Sequence, residues 1–228
     1  MYIPRHFGLE DRAQISEFVA AAGAADLVTF DGAELTATLL PVIWDQDDST
    51  SHTSGNGDGS GNGDAAGYGR LLGHIALANR QWETAQPGVP ALAIVHGPQA
   101  YISPGWYAAK REHGRVVPTW NYVTVHAYGR PQVIDDTRGV LVVLAKLAAA
   151  YEGKGPDAWG LGRLPPGNAE MQTKGIVAFR MLLKRVETKI KLSQNRDFED
   201  RTRVIAKLEA SDNQDALATA RWMKRMLP

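Results

Sequence analysis

The stretch Val186-Glu187-Thr188-Lys189-Ile190-Lys191-Leu192-Ser193-Gln194-Asn195-Arg196 changes its periodicity part-way through. Up to Leu192, the residues Val186, Thr188, Ile190 and Leu192 alternate with Glu187, Lys189 and Lys191. This is the two-residue repeat of a half-buried strand, and it turns Lys191 away from the apolar side. Beyond Arg196 the pattern becomes helical, over Asp197–Ala210 and again over Asp215–Met226, with Ser211-Asp212-Asn213 between. A strand that begins at Ile176 therefore ends in a polar run, Lys191–Arg196, rich in groups able to hold an anion. Such a strand end is either a ligand site or a solvated turn, and the other segments decide between them.

Upstream, Ile15, Phe18, Val19 and Ala22 follow helical spacing between Glu10-Asp11 and Gly23, which predicts an amphipathic helix over 11–22. Asp26–Phe30 and Ala33–Trp44 read as strands flanking Asp31-Gly32, a dipeptide suited to the positive φ values of a hairpin turn. Leu71–Leu77, Ala91–His96 and Val116–Ile134, the last broken near Gly129-Arg130-Pro131, also have strand composition. Val140, Val143, Leu144, Leu147 and Tyr151 form the stripe of a helix that caps the sheet. Six or seven strands with peripheral helices, in one domain over 1–228, predict a mainly β, α+β fold, a closed or split barrel.

Residues 45–67 interrupt this order with a Gly/Asn/Asp-rich run that cannot build a core, and they read as a flexible insertion rather than a domain linker. Asn56-Gly57-Asp58-Gly59-Ser60-Gly61 matches the front of a calcium loop, but the twelfth position is Gly67 where a bidentate Glu is needed.

Composition narrows the function. The chain has 228 residues, 44% hydrophobic and 22% charged, with a formal net charge of zero. Its whole surface is therefore no electrostatic trap for nucleic acid or anionic lipid. The charge is uneven: residues 1–50 hold two Lys/Arg against nine Asp/Glu, and residues 180–228 hold twelve against seven. The absence of cysteine excludes thiolate metal sites and cysteine nucleophiles. No Walker A, G-x-S-x-G or H-E-x-x-H pattern occurs, and the six histidines show no metal spacing. With no apolar leader and no long apolar run, the expectation is a cytoplasmic protein that does not enter membranes.

Three segments carry ligand chemistry. Ala78-Asn79-Arg80-Gln81 is a polar turn at a strand end, where backbone N–H groups, the Asn79 amide and the Arg80 guanidinium suit a phosphate. His74, on the strand before it, reads equally as a structural residue or a ligand. Tyr101–Tyr107 and Thr119-Trp120-Asn121-Tyr122 set aromatic rings beside amides and hydroxyls, the lining that suits a planar heterocycle. Arg201, Arg203, Lys207, Arg221, Lys224 and Arg225 put a basic character on the last two helices. That is a local patch for DNA or, more commonly, a solvated face.

Taken together, Met1–Phe7, Gly73-His74-Ile75-Ala76 with Ala78-Asn79 and Gln81-Trp82, Gly97–Pro104 with Trp106-Tyr107, Val117–Tyr122 and Lys191–Arg196 resemble the PaiB-type FMN-binding proteins, described as negative transcriptional regulators. The resemblance implies a split β-barrel related to the pyridoxamine-phosphate-oxidase-like flavoproteins, a homodimer with FMN at the subunit interface, and a regulatory role. On this reading some of Asn79, Arg80, Lys191, Gln194 and Arg196 hold the phosphate, Trp120, Asn121 and Tyr122 flank the ring, and His74 is a further cofactor-binding candidate. Leu77 stands where the family usually has Arg, Arg80 where it has Pro, and Leu40 where it tends to have His. A flavin-dependent oxidoreductase of the same fold is the alternative, with Ser103, Lys110 and His113 orienting a substrate. Haem or another tetrapyrrole on His74 or His126 is a further one.

Overall fold

A computed structural model describes residues 1–46, 68–84, 89–153 and 155–227. The insertion expected at 45–67 falls outside the described residues from 47 onward, as does the calcium-loop match. The described residues form six strands: β1 Ala24–Phe30, β2 Leu35–Asp45, β3 Arg70–Ala76, β4 Ala91–Ile102, β5 Thr119–Ile134 and β6 Ile176–Lys191. Their order is β1-β2-β3-β6-β5-β4, closed by antiparallel pairing of β4 with β1. The expected α+β barrel is what the chain forms. Among the described residues six α-helices accompany it: α1 Arg12–Ala22, α2 Ala109–Glu112, α3 Thr137–Tyr151, α4 Asn168–Thr173, α5 Phe198–Glu209 and α6 Gln214–Arg225. Among the described residues, no helix is long and apolar enough to cross a membrane.

Local chemistry sets most boundaries. Asp11 caps α1 by accepting from the backbone N–H groups of Ala13 and Gln14, at 2.9 and 3.1 Å. Asp136 caps α3 through the N–H of Gly139 at 2.8 Å, and Asn213 caps α6 through that of Ala216 at 3.1 Å. The β1–β2 hairpin pairs Phe30 with Leu35, so its loop is Asp31–Glu34 rather than a two-residue Asp-Gly turn. Gly32 takes a positive φ of 104°, and the Asp31 carboxylate closes the loop by accepting from the N–H groups of Ala33 and Glu34, both at 2.8 Å.

Strand β5 runs without the break expected at Gly129-Arg130-Pro131. A Cβ at residue 129 would collide with the Leu182 carbonyl, so glycine admits a close backbone approach here instead of a turn. Strand β4 likewise passes through Gly97-Pro98 and continues to Ile102, past the end expected at His96.

The described residues group into two compact units, neither continuous in sequence. Unit 1 comprises 1–15, 96–125 and 187–228, and unit 2 comprises 16–95 and 126–186. In unit 1, α5 and α6 bury Val204, Ile205, Leu208, Ala220 and Met223. In unit 2, α3 buries Val140, Val143 and Leu147 in one cluster with Leu72 of β3 and Ala178 of β6.

At the rim of the second cluster, the Asp45 carboxylate receives Arg70 Nε and Nη2 at 3.1 and 2.9 Å and Lys146 Nζ at 2.5 Å. Burial pushes the Asp45 carboxyl pKa upward, but the hydrogen bonds and charges of Lys146 and Arg70 outweigh it and hold the group below its ordinary value. Its stabilising contribution is therefore present above the unfolded carboxylate pKa and is lost as pH falls through the folded one. Asp45→Asn is expected to cost about 1–3 kcal/mol in urea unfolding at pH 7. The gap from wild type should narrow below about pH 3.9, the ordinary aspartate value. A cost that does not vary with pH would contradict this account.

Candidate functional site

In unit 1 the start of β5 and the end of β6 sort their side chains by alternation. Asn121, Val123 and Val125 of β5, and Thr188 and Ile190 of β6, are buried. Trp120, Tyr122, Lys189 and Lys191 occupy the other faces, with Trp120 52% exposed. Lys191 Nζ donates to Thr119 Oγ1 and to the Trp120 carbonyl, each at 2.5 Å. Lys189 Nζ donates to the Tyr2 carbonyl at 3.0 Å and lies 5.6 Å from the centre of the Tyr122 ring.

Immediately after Leu192 the chain turns at Ser193, the one described non-glycine residue with a positive φ, 64°. Left-handed backbone is costly for serine and persists only where its surroundings impose it. Here the fully buried Asn121 imposes it. Its Nδ2 donates to Ser193 Oγ at 3.0 Å and to Met223 Sδ at 3.4 Å, and Ser193 Oγ lies 3.2 Å from Asn121 Oδ1. Gln194 closes the turn on its own backbone, accepting from the Leu192 N–H at 2.7 Å and donating to the Ile190 carbonyl at 2.5 Å. Arg196 lays its guanidinium over the buried Tyr107 ring, 4.9 Å from its centre.

Lys189, Lys191 and Arg196 thus gather about one strand end, and no carboxylate among the described residues pairs with any of them. Burial, then repulsion from Lys189 and Arg196, pulls the Lys191 ammonium pKa below its ordinary value. An anion placed there would relieve that repulsion. A groove of about 340 Å³ lies in the same unit, lined in part by Tyr101, Trp106, Trp120 and Lys207. Tyr101 meets the Trp120 ring edge-on with centroids 6.1 Å apart. The pair of an uncompensated cation cluster and an accessible indole fits a molecule with an anionic tail and a planar ring.

The other expected residues of this unit do more local work. Ser103 caps the turn Pro104–Trp106 by accepting from the Gly105 N–H at 3.2 Å. His113 Nδ1 accepts from the Arg115 N–H at 3.0 Å, and Lys110 is exposed on α2. None of the three lines the aromatic groove. The basic face expected on the last two helices is broken up. Arg201 is buried against the Met226 carbonyl, and Arg203 donates to the Trp106 carbonyl. Lys224 pairs with Glu209 at 2.5 Å, and Arg225 stacks on Trp222.

In unit 2 the turn after β3 is built around two amides. Asn79 Nδ2 donates to Thr38 Oγ1 at 3.0 Å, while its Oδ1 accepts from the Gln81 N–H at 3.1 Å. Gln81, the last residue of the polar turn, is buried and staples β1 to β2 by donating to the Leu27 and Thr36 carbonyls at 2.7 and 3.1 Å. Arg80 is 80% exposed and forms an ion pair with Glu83 at 2.8 Å. The adjoining groove of about 800 Å³ is also lined by Asp31 and Glu83, whose carboxylates oppose a phosphate. His74 is half-buried with its Nδ1 enclosed and without a partner, and burial lowers its pKa. His126 stands edge-on to Tyr128 at 6.3 Å.

The family described as "Putative FMN-binding domain" matches residues 1–185. The chain is 31% identical over 229 residues to "Protease synthase and sporulation protein PAI 2" of Bacillus subtilis, covering 100% of this chain and 98% of that protein. Among solved structures, the flavocytochrome Anf3 of Azotobacter vinelandii shares the fold at a TM-score of 0.58 and 15% identity, over 88% of this chain and 78% of its own. The FAD- and haem-binding protein of Mycobacterium smegmatis does so at 0.54 and 11%, over 84% and 77%.

The burial of Asn121 makes its role testable without any ligand. Asn121→Ala leaves Ser193 Oγ without its buried partner, so the ligand-free protein is expected to lose about 1–3 kcal/mol of stability by denaturant unfolding. An unchanged unfolding midpoint would show that Asn121 does not support the turn.

Proposed function

The chain belongs to the PaiB-type family of FMN-binding proteins, and from this premise we propose that it binds FMN on the outward side of unit 1. Lys191, with Lys189 and Arg196 beside it, holds the phosphate, and the groove bounded by Trp120 and Tyr101 takes the ring. The observation that carries this reading is the cation cluster without a carboxylate partner next to a half-exposed indole. Tyr122 positions Lys189 beneath its ring. Asn121 and Gln194 fix the turn from which Arg196 projects and make no contact with the ligand themselves. FMN would supply one- and two-electron redox chemistry, while the protein binds and orients it.

The exposed side chains of Tyr2, Tyr101, Val117 and Trp120 give unit 1 an apolar surface suited to a second copy of the chain, and the proposed state is a cytoplasmic homodimer. Its role in this reading is regulatory. The bound flavin acts by favouring one state of the dimer, which requires different affinities for the two. Direct DNA contact would fall to Lys207 and Arg221, which form no ion pair among the described residues. Retardation of a promoter fragment at low salt, lost as salt rises, is the expected outcome of that role. Its absence at low salt would remove direct DNA binding from the proposal.

The binding step is tested by titrating FMN and riboflavin into the protein and following flavin fluorescence. Quenching by the wild type is expected with FMN preferred. Lys191→Met keeps the apolar stem and removes the charge, and it should weaken FMN binding at least about tenfold, some 1.4 kcal/mol. It should leave riboflavin binding nearly unchanged. Equal affinity of the wild type for both flavins, or no quenching at all, would overturn the assignment.

A further inference from the structure

The face of β3 that meets α3 begins apolar and changes at its end. Leu72 and His74 lie two residues apart on that face, and Leu72 packs into the cluster of Val140, Val143 and Leu147. His74 stands where the cluster stops. The space beyond it is a groove of about 510 Å³ whose walls include Leu144, Leu147, Tyr151, Trp159 and Leu164. This lies within the range of about 300–1,000 Å³ usual for small-molecule sites, which are mostly apolar with a few placed polar groups.

His74 is the polar group at its inner wall. Its Nδ1 is enclosed with no hydrogen-bond partner. A proton on that nitrogen would leave a buried donor unmade, at a cost of about 1–3 kcal/mol. The proton is therefore assigned to Nε2, the nitrogen that a partner can reach. Among the described residues no hydrogen bond holds Nε2, and it is the nitrogen left accessible. Burial keeps the ring neutral by lowering its pKa. The Tyr151 hydroxyl is already placed 2.9 and 2.8 Å from the carbonyls of Gly23 and Val42. The remaining ionisable group on the rim is Glu152, which disfavours anions.

We propose that this groove is a second ligand site, for an uncharged ring-bearing molecule whose carbonyl oxygen accepts a hydrogen bond from His74 Nε2. Its residues all belong to unit 2, and the proposal does not rest on flavin binding.

The test uses the full-length protein and prodan, an uncharged naphthyl ketone. Its emission moves to the blue in apolar surroundings and back toward the red when its carbonyl accepts a hydrogen bond. The wild type should give a saturable blue-shifted signal that FMN does not displace. Ala169→Trp fills the groove and should abolish the signal while leaving FMN quenching intact. His74→Phe should keep the signal, move it further to the blue and weaken binding about three- to tenfold. The His74→Phe spectrum decides the matter even if Ala169→Trp does not fold. Three results would overturn the proposal: no saturable signal, displacement of prodan by FMN, or an unchanged spectrum in His74→Phe. So would a haemin titration that gives a Soret shift lost in His74→Phe, because the imidazole would then be a metal ligand and not a hydrogen-bond donor.

Discussion

The contact between Asn121 and Ser193 fixes where the chemistry of unit 1 can be. Ser193 holds a backbone conformation worth roughly 1–2 kcal/mol of strain for an L-residue. A buried partner able both to donate and to accept offsets part of that cost. Asn121 supplies that partner from the neighbouring segment, with both amide atoms within reach of one hydroxyl. With the turn pinned, Lys191 projects before it and Arg196 after it, so two cations distant in a straight strand are brought to one end. Removing the amide would therefore loosen the placement of charges that it never touches.

The alternation of β5 and β6 divides the labour between residues that are adjacent in sequence. Trp120 is accessible while Asn121 is sealed, and Lys191 is partly exposed while Leu192 is completely buried. This explains why a segment dense in candidate groups leaves fewer of them free for a ligand than its composition suggests. Asn121 spends its amide on the Ser193 hydroxyl and the Met223 sulfur, and Gln194 spends its own on the backbone of the turn. The groups left over are the ones with charge or a ring face to offer.

Much of this was legible in the sequence. The strand ending at Leu192, the helices α1, α3, α5 and α6 and the first hairpin all lie within a few residues of where periodicity and capping place them. Gly97-Pro98 and Gly129-Arg130-Pro131 were misleading because turn propensity is local. The closeness of the Leu182 carbonyl to Gly129 is a tertiary fact that no local pattern records. For the site, residue types were readable and their orientation only partly so. Val123 and Val125 lie on the buried face of β5, and counting back by two puts Asn121 there as well, so its inward role was available from alternation. The pairing of Arg80 with Glu83 was visible as spacing, since three residues apart is contact distance on a helical turn. The buried role of Gln81 had no such signal.

Arg80 and Lys191 show why charge alone does not locate an anion site. Both are cations at strand ends beside polar turns, yet Arg80 already has a carboxylate at 2.8 Å. A phosphate would have to displace that partner from a solvated, screened position and would gain little. Lys191 has only neutral oxygens as partners and two cations for neighbours, in a partly buried setting where screening is weaker. There the protein alone holds unrelieved repulsion, and an arriving anion recovers it. The same logic separates the grooves of unit 2. The groove with Asp31 and Glu83 on its walls repels phosphate, and the apolar one, with Glu152 on its rim, disfavours anions as well.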